Sequence, residues 1–273
     1  FHKHPWSIGG GGASELKTTL DQCCEMRLRD VVVEIGSGAL TREDELYRIG
    51  GAVATRILRN SRHVRALVVG EEVRDWGLHS PVESIWPYDP ESLIAVQDQA
   101  ILRFLWPWRR QLSDRVAFGL TQLARGLAWH EYSMFFRDRY RTLVSIVFAE
   151  VATHNHFVFD RGGKVFNQTA PVIKLPANAT QDDHLGLLGL LNSSTACFWL
   201  KQVCFPKGGD HVGGEGARDR KTWWDERYAH DGTKLKAFPV LRDLPLERAR
   251  QIDEMGRTAE AQTPSTALQT WAH

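Results

Sequence analysis

Hydrophobic and polar positions follow two different periods along the chain. Short runs rich in β-branched and aromatic residues, such as VVVEIG, RALVVG, RTLVSIVFAEV and HNHFVFD, are bounded by turn residues and predict strands within residues 31–72 and 143–175. Helical spacing of apolar residues predicts helices near residues 15–29, 51–60, 92–104, 112–127 and 184–204. The pattern therefore predicts an α+β fold, with a mixed or antiparallel sheet backed by helices.

The helix predicted at 184–204 is apolar around most of its circumference, which indicates a buried helix. Gly186 and Gly189 would let another element pack closely against it. Four consecutive glycines precede the first predicted helix, whereas the last 25 residues are polar. We therefore expect a Gly-rich entry with a helix at residues 1–30, one main domain at 31–248 and a polar, flexible tail at 249–273.

Composition restricts the class of protein. With 273 residues, 42% of them hydrophobic and 25% charged, the chain has the balance of a globular protein with a sizeable core. No apolar run approaches the ~20 residues that would span a bilayer, so we expect no membrane partner. The four cysteines have no zinc-binding spacing and fit a reduced, cytoplasmic setting.

Positive charge is concentrated in one segment, although the net charge is only +1. Eight arginines lie between Arg103 and Arg141, against three acidic residues. Guanidinium groups pair with phosphates and with the guanine edge, and indoles stack on bases, so the mixture predicts contact with nucleic acid. Any one tryptophan could equally be a core or interface anchor. The candidate DNA-binding residues of this segment are Arg103, Trp108, Arg109, Arg110, Arg115, Arg125 and Trp129.

A second group of candidates follows the predicted strands. The FNQTA loop carries Asn167, Gln168 and Thr169, which are residue types that bind adenine edges and phosphates. His154 and His156 would share a strand face, and without a third ligand nearby we prefer a binding role to a metal site. The Gly-rich, charged stretch at 205–221 adds Lys207 and Arg218 as DNA-binding candidates.

The VVVEIGSG stretch is also typical of the cofactor loop of a class I S-adenosylmethionine methyltransferase. Such a loop needs an acidic residue after the following strand to bind the ribose, and Glu71 and Glu72 lie further along than usual. The Asn/Asp-Pro-Pro-aromatic motif of amine methylation does not occur in the sequence, which has no Pro-Pro dipeptide. We therefore expect a chain without catalytic or cofactor-binding residues of its own, with a small self-contained methyltransferase as the alternative.

Several segments together resemble a known family. IGSGALTREDELYRI, LWPWRRQLSDRVAFG, the stretch from IVFAEV to VIKLP and, most specifically, LLGLLNSSTACFWLKQVC resemble the region after the catalytic domain of large adenine-specific DNA methyltransferases. The resemblance covers about residues 2–248. It points to methyltransferases of phage-exclusion systems of the BREX/Pgl kind and, more distantly, to type IIG restriction-modification enzymes with a TaqI-like specificity domain.

The resemblance implies that the chain is a target recognition domain for double-stranded DNA. An N-terminal methyltransferase domain of the parent enzyme would be its partner and would hold S-adenosylmethionine. The parent would be a site-specific DNA adenine methyltransferase of a phage-defence or restriction-modification system, and other defence-system proteins are further expected partners. A protein-interaction module of such a defence complex is the second alternative.

Overall fold

The computed structural model describes residues 11–50, 61–74, 76–79, 82–207, 210–211, 218–219 and 227–261. The helices of these ranges are α1 Ala13–Gln22, α2 Leu28–Val31, α3 Asp44–Tyr47, α4 Gln99–Leu105, α5 Arg109–Asp114, α6 Gln181–Leu191, α7 Ser194–Val203, α8 Gly232–Leu235 and α9 Leu246–Ala261. Short 3-10 turns cover Ser61–His63, Gly70–Glu72, Trp106–Trp108 and Arg137–Tyr140. No helix within the described ranges is both long enough and apolar enough to cross a membrane.

The strands are short. They are β1 Met26–Arg27, β2 Glu34–Gly36, β3 Ala39–Leu40, β4 Val64–Val68, β5 Val73–Arg74, β6 Gly77–Leu78, β7 Val82–Ile85, β8 Val116–Ala117, β9 Leu120–Thr121, β10 Met134–Phe135, β11 Ser145–Phe148, β12 Val151–Ala152, β13 Phe157–Asp160, β14 Val165–Phe166, β15 Val172–Lys174, β16 Asp210–His211, β17 Arg218–Asp219, β18 Tyr228–Ala229 and β19 Pro239–Val240. Antiparallel pairing dominates, and β14 with β4 forms a parallel pair. The expected α+β class is confirmed.

The main sheet has the order β13-β11-β15-β2, and all its neighbours are antiparallel. Because side chains alternate across a strand, Ile146 and Phe148 of β11 enter one core and Val147 enters another. All four residues of β11 are buried as a result. The sheet is therefore covered on both faces, which explains why its strands read as nearly continuous apolar runs.

The buried helix expected at 184–204 is two helices, α6 and α7. The Thr180 hydroxyl accepts a hydrogen bond from the Asp183 N–H and so caps α6. The Asn192 side chain bonds both backbone groups of Phe157, and Ser193 caps α7. A single helix was the wrong prediction, because Asn192 and Ser193 prefer local hydrogen bonds to a helix interior.

Helix α9 packs against α6, and it corrects the expected flexible tail over residues 249–261. A Cβ added at Gly189 would lie 2.8 Å from the Cβ of Ala249, and one added at Gly186 would lie 3.0 Å from the Cβ of Leu244. The predicted close packing at both glycines is thus confirmed. Ala249 and Asp253 are buried, and Asp253 accepts a hydrogen bond from Arg161 at 2.5 Å. Because the exposed face of α9 is polar, its composition resembles that of a flexible tail.

Aromatic residues form a separate core beside the small sheet β14-β4-β7. The rings of Trp86 and Tyr88 meet at 5.1 Å, those of Tyr47 and Tyr132 also at 5.1 Å. The Tyr132 hydroxyl donates to the Ile85 carbonyl at 2.6 Å. This aromatic core supports the segment of residues 98–135, which holds half of the predicted DNA contacts.

Three other predicted helices have different bounds. The helix predicted near 15–29 is α1, which ends at Gln22. The one predicted near 92–104 begins at Gln99, since Asp98 accepts hydrogen bonds from the N–H groups of Ala100 and Ile101. Residues 112–127 hold the end of α5 and a hairpin, and the helix predicted near 51–60 falls outside the described residues.

Candidate nucleic-acid interface

An exposed surface of arginines and tryptophans is built by α4, the Trp106–Trp108 turn and α5. Ile101 and Leu105 anchor α4 in the aromatic core, so Arg103 on its other side is exposed. Trp106 is 60% exposed, and the guanidinium of Arg109 lies 5.0 Å from its ring. Arg110 is also exposed. We call Arg103, Trp106, Arg109 and Arg110 the arginine–tryptophan surface.

Trp108 and Trp129 stand behind this surface and are partly buried. Both pack against the aromatic core, and Trp108 meets Phe104 at 6.0 Å. The Trp129 ring meets Trp106 edge to face at 6.1 Å. Both therefore serve as anchors in the aromatic core, and Trp129 also supports Trp106, an exposed indole that is not among the predicted DNA contacts.

Arg115 does not belong to the surface. It is 6% exposed, and its guanidinium donates to the carbonyls of Leu112, Thr41, Trp129 and Glu131 at 2.5–3.0 Å. These bonds use four of the five N–H donors of the guanidinium, and the side chain is buried. These contacts argue against the predicted contact of Arg115 with DNA and give this residue a structural role, because it ties the end of α5 to the loops that hold Thr41 and Trp129.

Arg125 is held in a similar way. Its guanidinium donates to the Ser133 carbonyl at 2.6 Å and to the Gln122 side-chain oxygen at 2.7 Å. Desolvation and the positive charges of Arg115 and Arg42 lower the pKa of Arg125. These contacts give Arg125 a role in holding its own loop.

The 167–169 loop has one outward-facing side chain. Asn167 is buried, and its oxygen accepts hydrogen bonds from the N–H and hydroxyl of Thr169 at 2.9 and 2.7 Å. The Thr169 hydroxyl in turn accepts from the Gly70 N–H at 2.9 Å. Asn167 and Thr169 therefore shape the turn, and Gln168 is exposed at its tip.

The 167–169 loop lies between two clefts. Gln168 and Lys207 line the first, of about 450 Å³, together with Glu150, His230 and Lys236. The Lys207 ammonium lies 3.3 Å from the Glu150 carboxylate. The second cleft, of about 550 Å³, is lined by side chains that include His156, Asn167 and Thr169. Lys236 directly follows α8, which places it at the first cleft. No local sequence pattern predicts a cleft residue at this position.

The two histidines lie side by side, with ring centroids 4.1 Å apart, but differ in exposure. His154 is exposed and His156 is buried. Within the described ranges, no group of three or more His, Cys, Asp or Glu side chains is placed to hold a metal ion. Arg218 lies in β17, which pairs with β16.

The 167–169 loop and α5 are linked through α3 and the residue before it. Gln111 of α5 donates to the Glu43 carboxylate at 2.8 Å. Next along the chain, Asp44 lies 3.4 Å from the Asn167 amide nitrogen. The structure thus brings the two groups of candidate residues, far apart in sequence, into neighbouring parts of one framework.

The glycines of VVVEIGSG do not form a cofactor loop. The strand β2 pairs antiparallel with β15, whereas a donor-binding fold places such a loop after a parallel strand. A Cβ at Gly36 would lie 2.6 Å from the Arg139 guanidinium, and one at Gly38 would collide with the Tyr140 hydroxyl. Arg139 also forms an ion pair with Glu34. Side chains therefore crowd the space beside these two glycines, which argues against a cofactor loop at this place.

Comparison with solved structures defines the class of fold. The chain matches a segment of the type IIL restriction-modification enzyme MmeI, solved in complex with DNA, with a TM-score of 0.55 and 13% identity over 88% of this chain and 29% of that one. The type IIG restriction endonuclease BpuSI matches with a TM-score of 0.50 and 12% identity, over 90% of this chain and 27% of that one. The chain therefore has the fold of a segment of restriction-modification enzymes.

Sequence similarity links the chain to an adenine-specific methyltransferase. The chain is 38% identical over 268 residues, or 97% of its length, to the adenine-specific methyltransferase PglX of Streptomyces coelicolor. It spans 22% of that enzyme's length. No family model matches the chain. The chain is thus related to a segment of PglX, and the predicted resemblance to adenine-specific methyltransferases and type IIG enzymes is confirmed.

Proposed function

We propose that this chain reads DNA sequence as the specificity domain of an N6-adenine DNA methyltransferase. The observation that carries the proposal is the arginine–tryptophan surface, where exposed cations and an exposed indole stand on a rigid aromatic core. Its support from relatives is the 38% identity to an adenine-specific methyltransferase and the fold shared with an enzyme solved in complex with DNA. The parent would act in a phage-defence or restriction-modification system of the cytoplasm.

In this proposal the work is divided between two kinds of contact. Arg103, Arg109 and Arg110 contact phosphates, which gives affinity without sequence preference. Gln168 presents an amide that can bind the N6 and N7 atoms of adenine, and Lys207 and Lys236 place positive charge in the same cleft. His154 adds an exposed polar edge close by.

The chemistry belongs to another part of the parent. A methyltransferase domain would hold S-adenosylmethionine and transfer the methyl group, and this chain would position the target duplex against it. Other proteins of the defence system are further partners in this proposal. The chain by itself is expected to bind DNA without methylating it.

The test is a salt titration of duplex binding by fluorescence anisotropy. Each phosphate contact contributes about 0.9 to the slope of log affinity against log salt, so Arg109→Ala with Arg110→Ala should lower that slope by about 2. The matched control is Arg242→Ala with Arg257→Ala, which removes two other exposed arginines that pair with Glu25 and Glu254. Equal slopes for both double variants and the parent would contradict the proposal.

A further inference from the structure

The hairpin β8–β9 ends in an exposed aromatic residue. Ala117 pairs with Leu120, so Phe118 and Gly119 form a two-residue turn. Phe118 is 83% exposed, and Val116, Leu120 and Leu123 around it are each about half exposed. The tip is therefore apolar, and it is only two strands wide.

Phe118 also adopts a backbone conformation that a phenylalanine rarely takes. Its φ is +53° and that of Gly119 is +77°, the pattern of a type I′ turn. Asn, Asp or Gly is preferred at the first of these positions, because a bulky side chain is strained there. Folding stability thus gives no reason for a phenylalanine at this place, and strain of this kind is typical of functional sites.

The base of the hairpin is held rigidly. Arg115, immediately before β8, donates to four backbone carbonyls of other segments. Gln122, immediately after β9, is buried and donates to the carbonyls of Ala128 and Glu131 at 3.1 and 3.2 Å. A rigid base and an exposed tip suit an element that inserts into a partner, because the hairpin then loses little conformational entropy on binding.

We propose that Phe118 is a wedge that enters the base stack of duplex DNA. This rests on the proposed function. Apolar side chains of proteins that bind the minor groove enter between base steps and so deform the duplex. Positive charge near the hairpin favours DNA over a protein partner. Arg42 is exposed and follows Thr41, whose carbonyl accepts a hydrogen bond from Arg115 at the base of the hairpin. Arg109 and Arg110 are also exposed and lie on α5, which leads into β8.

The test compares two substitutions of one residue. Phe118→Asn removes the wedge and suits the left-handed turn, so it should keep or raise the Tm and weaken binding to a pool of random-sequence duplexes about tenfold. Phe118→Leu keeps an apolar wedge in the strained turn and should bind almost as the parent does. Met255→Gln, a change of an exposed apolar residue on α9, is the control and should not affect binding.

The salt titration separates this proposal from the previous one. Because the wedge carries no charge, Phe118→Asn should shift the line of log affinity against log salt downwards without changing its slope. If the parent binds and Phe118→Asn binds equally well, the wedge is refuted and the proposed function stands. If the parent binds no duplex at low salt, both are refuted. If Phe118→Asn changes only self-association in sedimentation velocity, the tip is a contact between copies of the chain and the wedge is again refuted.

Discussion

His230 should make the stability of this chain depend on pH in mildly acidic solution. It is 1% exposed, its Nδ1 lies 3.4 Å from the Ala149 carbonyl oxygen, and its Nε2 has no hydrogen-bond partner among the described residues. Burial lowers the pKa of His230 from 6.5 to about 4. The nearby positive charge of Lys201 also lowers this pKa, whereas the hydrogen bond with the Ala149 carbonyl raises it by a smaller amount.

The sign follows from which state binds the proton. As the pH falls through 6.5, the unfolded imidazole becomes charged while the native one stays neutral down to about pH 4. The contribution of neutral His230 to the free energy of unfolding is therefore complete above pH 6.5 and is lost as the pH falls towards 4. With these two pKa values, the free energy of unfolding should fall by about 2 kcal/mol between about pH 7.5 and pH 5 from this residue alone.

The assay is guanidinium unfolding of the parent and of His230→Asn over that pH range. Asparagine keeps an amide donor near the Ala149 carbonyl but cannot be protonated. Burial also lowers the pKa values of His130 and His184, but both residues are present in both proteins, so their effect cancels in the difference. The exposed His79→Asn is the control. A stability difference between parent and His230→Asn that stays constant with pH would refute the reasoning.

Further predictions concern packing and hydrogen bonding. Gly189→Val should lower the free energy of unfolding by about 2 kcal/mol, because the new side chain meets Ala249 and Pro245, and adding Ala249→Gly should recover part of the loss in a double-mutant cycle measured by urea unfolding. Arg115→Met should cost about 3 kcal/mol, since the carbonyls of Thr41 and Trp129 lose their donor. The exposed Arg110→Met should leave the Tm unchanged, and equal Tm values for the two variants would contradict the role given to Arg115.

The sequence predicted the α+β class and the strands that form the main sheet, because short β-branched runs bounded by turn residues strongly favour strands. It also predicted the close packing at Gly186 and Gly189. It placed the exposed Arg103, Arg109 and Arg110 together, since these are close in sequence and their exposure follows from the helical phase of Ile101 and Leu105.

Long-range hydrogen bonding could not be predicted in the same way. Arg115 looks like its neighbours in sequence, and its burial depends on carbonyls from residues 41, 129 and 131. Asn167 likewise becomes a turn residue through Thr169 and Asp44. The polar composition of residues 249–261 concealed a helix, because the residues that pack it, such as Ala249, are small.

The double coverage of β11 limits where this chain can change during evolution. A strand buried on two sides tolerates few replacements, since each would disturb one of two packed interiors. Replacements should be tolerated better at an exposed loop tip, such as that of Gln168. Under the proposed function, exchanging a few such tip residues would change the DNA sequence that is preferred while the scaffold stays the same.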